Sequence, residues 1–196
     1  RWTLATAGVL ILALSVQTMA RGRDYRDEIT LFTKTLRPDQ TMGPIRTGLV
    51  VALLRDGKNA EALPLARDLV RRLPGVDAGW HNLGLALSRE GRDAEAEACF
   101  HRALELDPGL AEAMNNLGFL FHQNMQFEKA VDMFRRSALE GQDASLAYTN
   151  LGNACYKLGK YTDAVDAWKK AVDQNPLNES AHKALKMFQQ EQAVQE

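Results

Sequence analysis

Residues 77–110 read DAGWHNLGLALSREGRDAEAEACFHRALELDPGL, and the chain then repeats this design twice more with the same spacing. Asn-Leu-Gly occurs at Asn82, Leu83 and Gly84, at Asn116, Leu117 and Gly118, and at Asn150, Leu151 and Gly152, which fixes a period of 34 residues held without insertion or deletion. Within each period the same residue classes recur. Ala96, Ala130 and Ala164 follow the glycine, then Phe100, Phe134 and Trp168, then Ala103, Ser137 and Ala171.

These spacings predict a hairpin of two helices that cross closely. Small residues at Gly84 and Ala96 mark the crossing, and Leu83, Leu87 and Phe100 fill the space beside it. One hairpin cannot bury both of its faces. Stacking successive hairpins does bury them, so the period predicts an all-α solenoid with a right-handed superhelix rather than a compact single-core domain.

Trp80, Leu83, Gly84, Leu87, Gly91, Ala96, Phe100, Ala103 and Pro108 closely resemble the tetratricopeptide-repeat pattern. The repeat at 145–178 is similar, with Tyr148, Leu151, Gly152, Gly159, Ala164, Trp168, Ala171 and Pro176, and with Cys155 where a large residue is usual. The repeat at 111–144 departs twice. Met125 replaces the turn glycine and Gln142 the closing proline, with Gly141 expected to end the second helix in the left-handed conformation. A degenerate copy occupies 43–76, where Leu49, Leu53, Gly57, Ala62, Ala66 and Pro74 keep register and Val50 stands in the place of the small glycine. Residues 179–196 start as a further repeat would, with Ala181, Ala184, Leu185 and Phe188 on one face, and then turn polar as a solvating cap helix does.

The composition, 45% hydrophobic and 25% charged, is that of an ordinary globular chain, and a net charge of −1 without a basic stripe excludes a nucleic-acid footprint. The chain begins with Arg1 rather than Met, and the expectation is a fragment or a processed product. Residues 2–20, WTLATAGVLILALSVQTMA, carry no charge and as a helix would span roughly 28 Å, so residues 1–20 are expected to form a transmembrane helix; a signal peptide cut after Ala20 is the alternative. Residues 21–42 then form a juxtamembrane packing helix and linker, with Ile29, Phe32 and Leu36 at helical spacing.

Arg21, Arg23 and Arg26 would hold this flank in the cytoplasm by the positive-inside rule. The apolar helix, its Arg-rich exit, Asp24-Tyr25, residues 27–32 (DEITLF) and Pro38, followed at once by a repeat, are similar to the last membrane helix and repeat arm of polytopic glycosyltransferase-C-type membrane proteins. That resemblance implies repeats lying outside the cytoplasm. It also implies that no transferase residue falls in this stretch. A stand-alone anchored scaffold for pilus, secretion or cytochrome-maturation assembly is the other expectation.

No catalytic constellation is present. Cys99 and Cys155 fall two hairpins apart, beyond disulfide reach. His81, His101, His122 and His182 lack metal-ligand spacing and are expected on solvated helix faces, so neither a metal site nor a cofactor is predicted. The expected site is instead the concave face, lined by first helices. Its candidates are His81, Asn82, Leu85, Ser88 and Arg89, then Asn115, Asn116, Phe119, His122 and Gln123, then Thr149, Asn150, Asn153, Tyr156 and Lys157. The ligand would be a protein or peptide. Asn82, Asn116 and Asn150 stand one per repeat and resemble the asparagine ladder of O-linked N-acetylglucosamine transferase, which implies a grip on a peptide backbone; a bond to a neighbouring helix backbone is the other use of that position. The basic set of chaperone-tail clamps is missing, with Leu85 and Leu146 in its places and only Asn116 matching. The partner's identity and the oligomeric state stay open.

Overall fold

The computed structural model describes residues 25–35, 43–141 and 144–195. Among them the chain forms ten α-helices. These are α1 (Tyr25–Thr35), α2 (Gly43–Arg55), α3 (Asn59–Arg72), α4 (Asp77–Arg89), α5 (Asp93–Leu106), α6 (Ala111–Gln123), α7 (Phe127–Glu140), α8 (Ser145–Lys157), α9 (Tyr161–Gln174) and α10 (Glu179–Gln195). Helices α2 to α9 pair into four antiparallel hairpins, each packed on the next, and one continuous apolar core runs from Leu49 to Trp168. First helices also touch first helices of neighbouring repeats, which builds the inner face.

The crossing inside each hairpin shows why glycine recurs. A Cβ on Gly84 would stand 2.7 Å from the Phe100 ring, and one on Gly118 would stand 2.9 Å from Phe134. Trp168 fills the same space over Gly152. The missing side chain is therefore replaced by the edge of an aromatic ring, and burying such a ring contributes on the order of 1.5–3 kcal/mol. The first hairpin exchanges the volumes. Val50 stands in the glycine position and Ala66 in the aromatic one, and both are fully buried.

Turns within the hairpins fall at Gly57, Gly91 and Gly159, with φ near +70°, a backbone conformation glycine adopts without cost. Met125 occupies the same turn with φ 55°. It keeps the hairpin in register despite its side chain. Gly141 corrects the expectation placed on it: its φ of −76° and ψ of 137° are extended, not left-handed. The helix ends there, and α8 starts anew at Ser145, whose hydroxyl donates to the Ala171 carbonyl at 2.8 Å.

The two flanking helices are each half of a hairpin. Phe32 of α1 is in register with Ala66, Phe100, Phe134 and Trp168, and its ring packs onto Gly48 of α2. Helix α1 thus takes the position of a second helix. Helix α10 takes the position of a first helix, capped by Asn178, whose Oδ1 accepts from the Ala181 amide at 3.0 Å. At the register of the crossing glycines α10 carries the exposed Lys186 instead.

Among the described residues no helix is long and apolar enough to cross a membrane. The membrane helix expected at residues 1–20 lies outside them, as do residues 21–24 and 36–42 of the expected linker.

Candidate functional site

The inner face is bound together by a repeated contact between residues 35 apart. Asn116 of α6 places its Nδ2 2.8 Å from His81 Nε2 on α4, and Asn150 of α8 donates to Asn115 Oδ1 on α6 at 3.0 Å. Tyr156 of α8 donates to Glu191 of α10 at 2.7 Å. Arg89 of α4 donates to the Leu54 carbonyl of α2 and reaches Asn59 Oδ1 at 3.4 Å. The four links between residues 35 apart each join one first helix to the next, so these side chains tie the repeats together as well as lining the groove.

That geometry changes what the asparagine ladder can offer. Asn82 is only 5% exposed and stands in the wall of the groove rather than on its surface. Asn116 and Asn150 are half-buried, and each commits its amide nitrogen to the preceding repeat. Each keeps its carbonyl oxygen and one N–H, and Asn115 keeps its amide nitrogen, for a ligand. A donor and an acceptor still face the groove together at the Asn115–Asn150 pair.

The other candidates scatter. Phe119 is 47% exposed on the inner face. Asn153, in register with Leu85 and Phe119, accepts from Trp168 Nε1 at 3.0 Å, which explains why tryptophan in the aromatic position is accompanied by asparagine there. Tyr156 is covered by the cap helix, its ring 6.3 Å edge-on from Phe188. Lys157 is exposed in the last turn of α8.

His81 and His122 correct the expectation of solvated histidines, while His101 and His182 are exposed. The His81 ring lies tilted against Phe100, centroids 5.9 Å apart, and burial lowers its pKa against the opposing pull of Glu112 and Asp77. His122 packs edge-on to Phe127, and burial, aided by Lys157, lowers its pKa too. Folding therefore favours the neutral form of both rings. Cys99 and Cys155 are free and buried; burial and Glu95 push the Cys99 thiol up to about 11, and burial raises Cys155, so neither supplies a thiolate.

Two adjoining hollows open along this face. One of about 380 Å³ lies between α2 and α4, walled by Val51, Leu54, Asn82, Leu85 and Arg89. The larger, about 690 Å³, lies between α4, α6 and α8 and the loops feeding them, and includes Asp107, Glu112, Asn115, Glu140 and Leu146. They share His81, Leu110 and Glu112. Of the lining residues, Glu112 was not among the sequence candidates, and Leu146 figured there only as a place of the missing chaperone-tail clamp. They occupy the same position of α6 and α8, 34 apart, in the first turn of the helix, whereas the candidates were counted outward from the mid-helix leucines.

Four stacked helical hairpins around an inner groove define a repeat scaffold rather than a catalytic fold. The sequence matches the tetratricopeptide-repeat family over residues 76–138 and again over 145–178, and the protein belongs to that family. No curated protein matches the sequence. Among solved structures, a thermophilic tetratricopeptide-repeat protein of Thermus thermophilus superposes with a TM-score of 0.74 at 21% identity, covering 90% of this chain and 95% of that one. MamA gives 0.67 at 21% identity over 78% and 90% of the two chains. YrrB, described as a tetratricopeptide-repeat protein with an unusual peptide-binding site, gives 0.65 at 19% identity over 89% and 87%. At these identities the likeness is one of fold.

Proposed function

We propose that this chain is an interaction module that holds an extended polypeptide or an assembly partner along its inner face. The observation that carries this reading is the pair of adjoining hollows, which run across α2, α4, α6 and α8 and present both apolar and hydrogen-bonding groups. Leu146 is 61% exposed and Phe119 47%, large apolar side chains left in water on a concave surface. Asn115 and Asn150 supply a donor and an acceptor between them. The description of YrrB lends support by analogy of fold.

The finer reading is that residues 2–20 tether the array to a membrane, with the repeats outside the cytoplasm as the arm of a glycosyltransferase-C-type protein. The residues quoted above for that resemblance are its support. A scaffold anchored alone, or facing the cytoplasm, is the competing form; protease protection of the repeats in sealed vesicles separates the two sides.

The groove itself is tested with the full chain on an array of extended peptides, beside Phe119→Ala/Leu146→Ala. Both side chains are exposed, so melting temperatures should match. We expect binding to weaken tenfold or more in the variant, as truncation of central interface residues does. Equal binding by an equally stable variant would move the partner off this face.

A further inference from the structure

We propose that the larger hollow receives a lysine or arginine side chain, so that the polypeptide held along the groove is one with a basic residue at that point. This rests on the groove reading above and specifies its ligand.

The hollow is electrically one-sided. Its ionised lining residues, Asp107, Glu112 and Glu140, are all acidic, and none of them takes part in an ion pair among the described residues. Some carboxylates elsewhere are paired, Asp68 with Arg46, Arg71 and Arg72, Glu95 with Arg92 and Glu105 with Arg102, whereas the lining of this hollow offers no arginine or lysine to pair with. Burial favours the neutral form of His81, the one other titratable group in the lining.

The backbone adds to the imbalance. Helices α5 and α7 both end at the hollow, with Asp107 just beyond the one and Glu140 closing the other, and neither has a basic residue in its last turn. Helix C-termini carry partial negative charge, so acidic side chains there are disfavoured unless a cation is near. Asp107 Oδ1 and Glu140 Oε2 converge over the Gly109 loop, 3.5 and 3.8 Å from where a Cβ on that residue would stand. The Asp107 oxygen also accepts from the Gly109 amide at 2.9 Å, which locks its direction.

The shape selects an organic cation on a stem. No group of three His, Cys, Asp or Glu among the described residues could hold a metal ion. Leu110 and the exposed Leu146 give the aliphatic part of a long basic side chain an apolar wall, while its head reaches the carboxylates. An arginine fork suits two separate carboxylates better than an ammonium does. An acidic tail would be repelled by three charges and two helix ends.

The test measures binding of the full chain to matched extended peptides that differ only at one central residue, Arg, Lys, Gln or Glu. It is repeated with Glu112→Gln/Glu140→Gln and with Glu140→Lys. Both glutamates are exposed and make no ion pair among the described residues, so the variants should melt with the parent. The Arg and Lys peptides should bind roughly three- to tenfold more tightly than the Gln peptide at low salt, with the Glu peptide weakest. That preference should vanish in the double Gln variant and turn toward the Glu peptide in Glu140→Lys. Equal binding of all four peptides, or a basic preference that survives the double variant, overturns this proposal and leaves the groove reading standing. No binding of any peptide overturns both.

Discussion

The first hairpin and the three that follow cross their helices with opposite allocations of volume. In the later hairpins a glycine on the first helix receives a ring from the second; in the first hairpin Val50 and Ala66, both fully buried, exchange large and small. A sequence comparison scores Val50 as a lapse from the pattern. Physically, what is kept is the summed volume of the crossing, because interiors are close-packed and either allocation fills the space. The difference teaches that degeneracy at one position of a repeat is read correctly only with its partner sixteen residues on.

Removing the ring should have the largest effect. Phe100 is completely buried over Gly84, so Phe100→Ala should cost about 3–5 kcal/mol by urea unfolding. Ala66→Phe, which gives the first hairpin a ring without a glycine beneath it, should cost about 1–3 kcal/mol by overpacking. If Ala66→Phe proved harmless, the exchange of volumes would be accidental.

The exchange can be transplanted. Gly84→Val alone forces a Cβ toward the Phe100 ring and should cost about 1–3 kcal/mol; in the Phe100→Ala background it should cost less or restore stability. The coupling in that double-mutant cycle should lie within about 0.5–3 kcal/mol, with the sign of mutual compensation. Strict additivity would break the comparison between the hairpins.

The turns provide a milder contrast. Gly57, Gly91 and Gly159 adopt positive φ freely, whereas Met125 adopts φ 55° against the steric penalty of its Cβ. Met125 is 76% exposed, so its side chain adds little packing. Met125→Gly should stabilise the chain by about 0.5–1 kcal/mol, the relief of strain being partly offset by the greater freedom of an unfolded glycine. A loss of stability would mean the methionine packs in a way its exposure hides.

The repeat was legible because burial imposes it: Leu83, Gly84, Ala96 and Phe100 cannot vary independently of the hairpin they form. The register of α1 was there to be seen as well, in Phe32 one period before Ala66, but beside an apolar stretch it reads first as a lone juxtamembrane packing helix rather than as half of a hairpin. The site was less legible. Which face Asn82, Asn116 and Asn150 present depends on the pitch between repeats, and the links of Asn116 to His81 and of Asn150 to Asn115 join residues 35 apart, one more than the period. No residue class in the sequence records that offset. Gly141 shows the same limit, since Gly permits a left-handed end to α7 but the stacking of α8 decides for an extended one.

The smallest effect concerns the inner face, where His81 links the second repeat to the third. With the ring neutral, Nε2 can accept from Asn116 Nδ2; a proton there sets donor against donor unless the Asn116 amide turns over. Burial lowers the folded-state pKa of His81 from 6.5, with Glu112 across the groove and Asp77 on its own helix opposing more weakly. Folding therefore favours the neutral ring. Its contribution to stability is fully present above the unfolded value near 6.5 and is lost as the pH falls through the lower folded pKa. His122 has the same sign through burial and Lys157, so it forms the internal control. Urea midpoints between pH 8 and pH 5 should fall less steeply for His81→Gln, which keeps an acceptor for Asn116, than for the parent, while carboxylate titration is common to both. An unchanged slope in His81→Gln, with the slope removed by His122→Gln instead, would place the proton-sensitive link of the groove at its far end rather than between the second and third repeats.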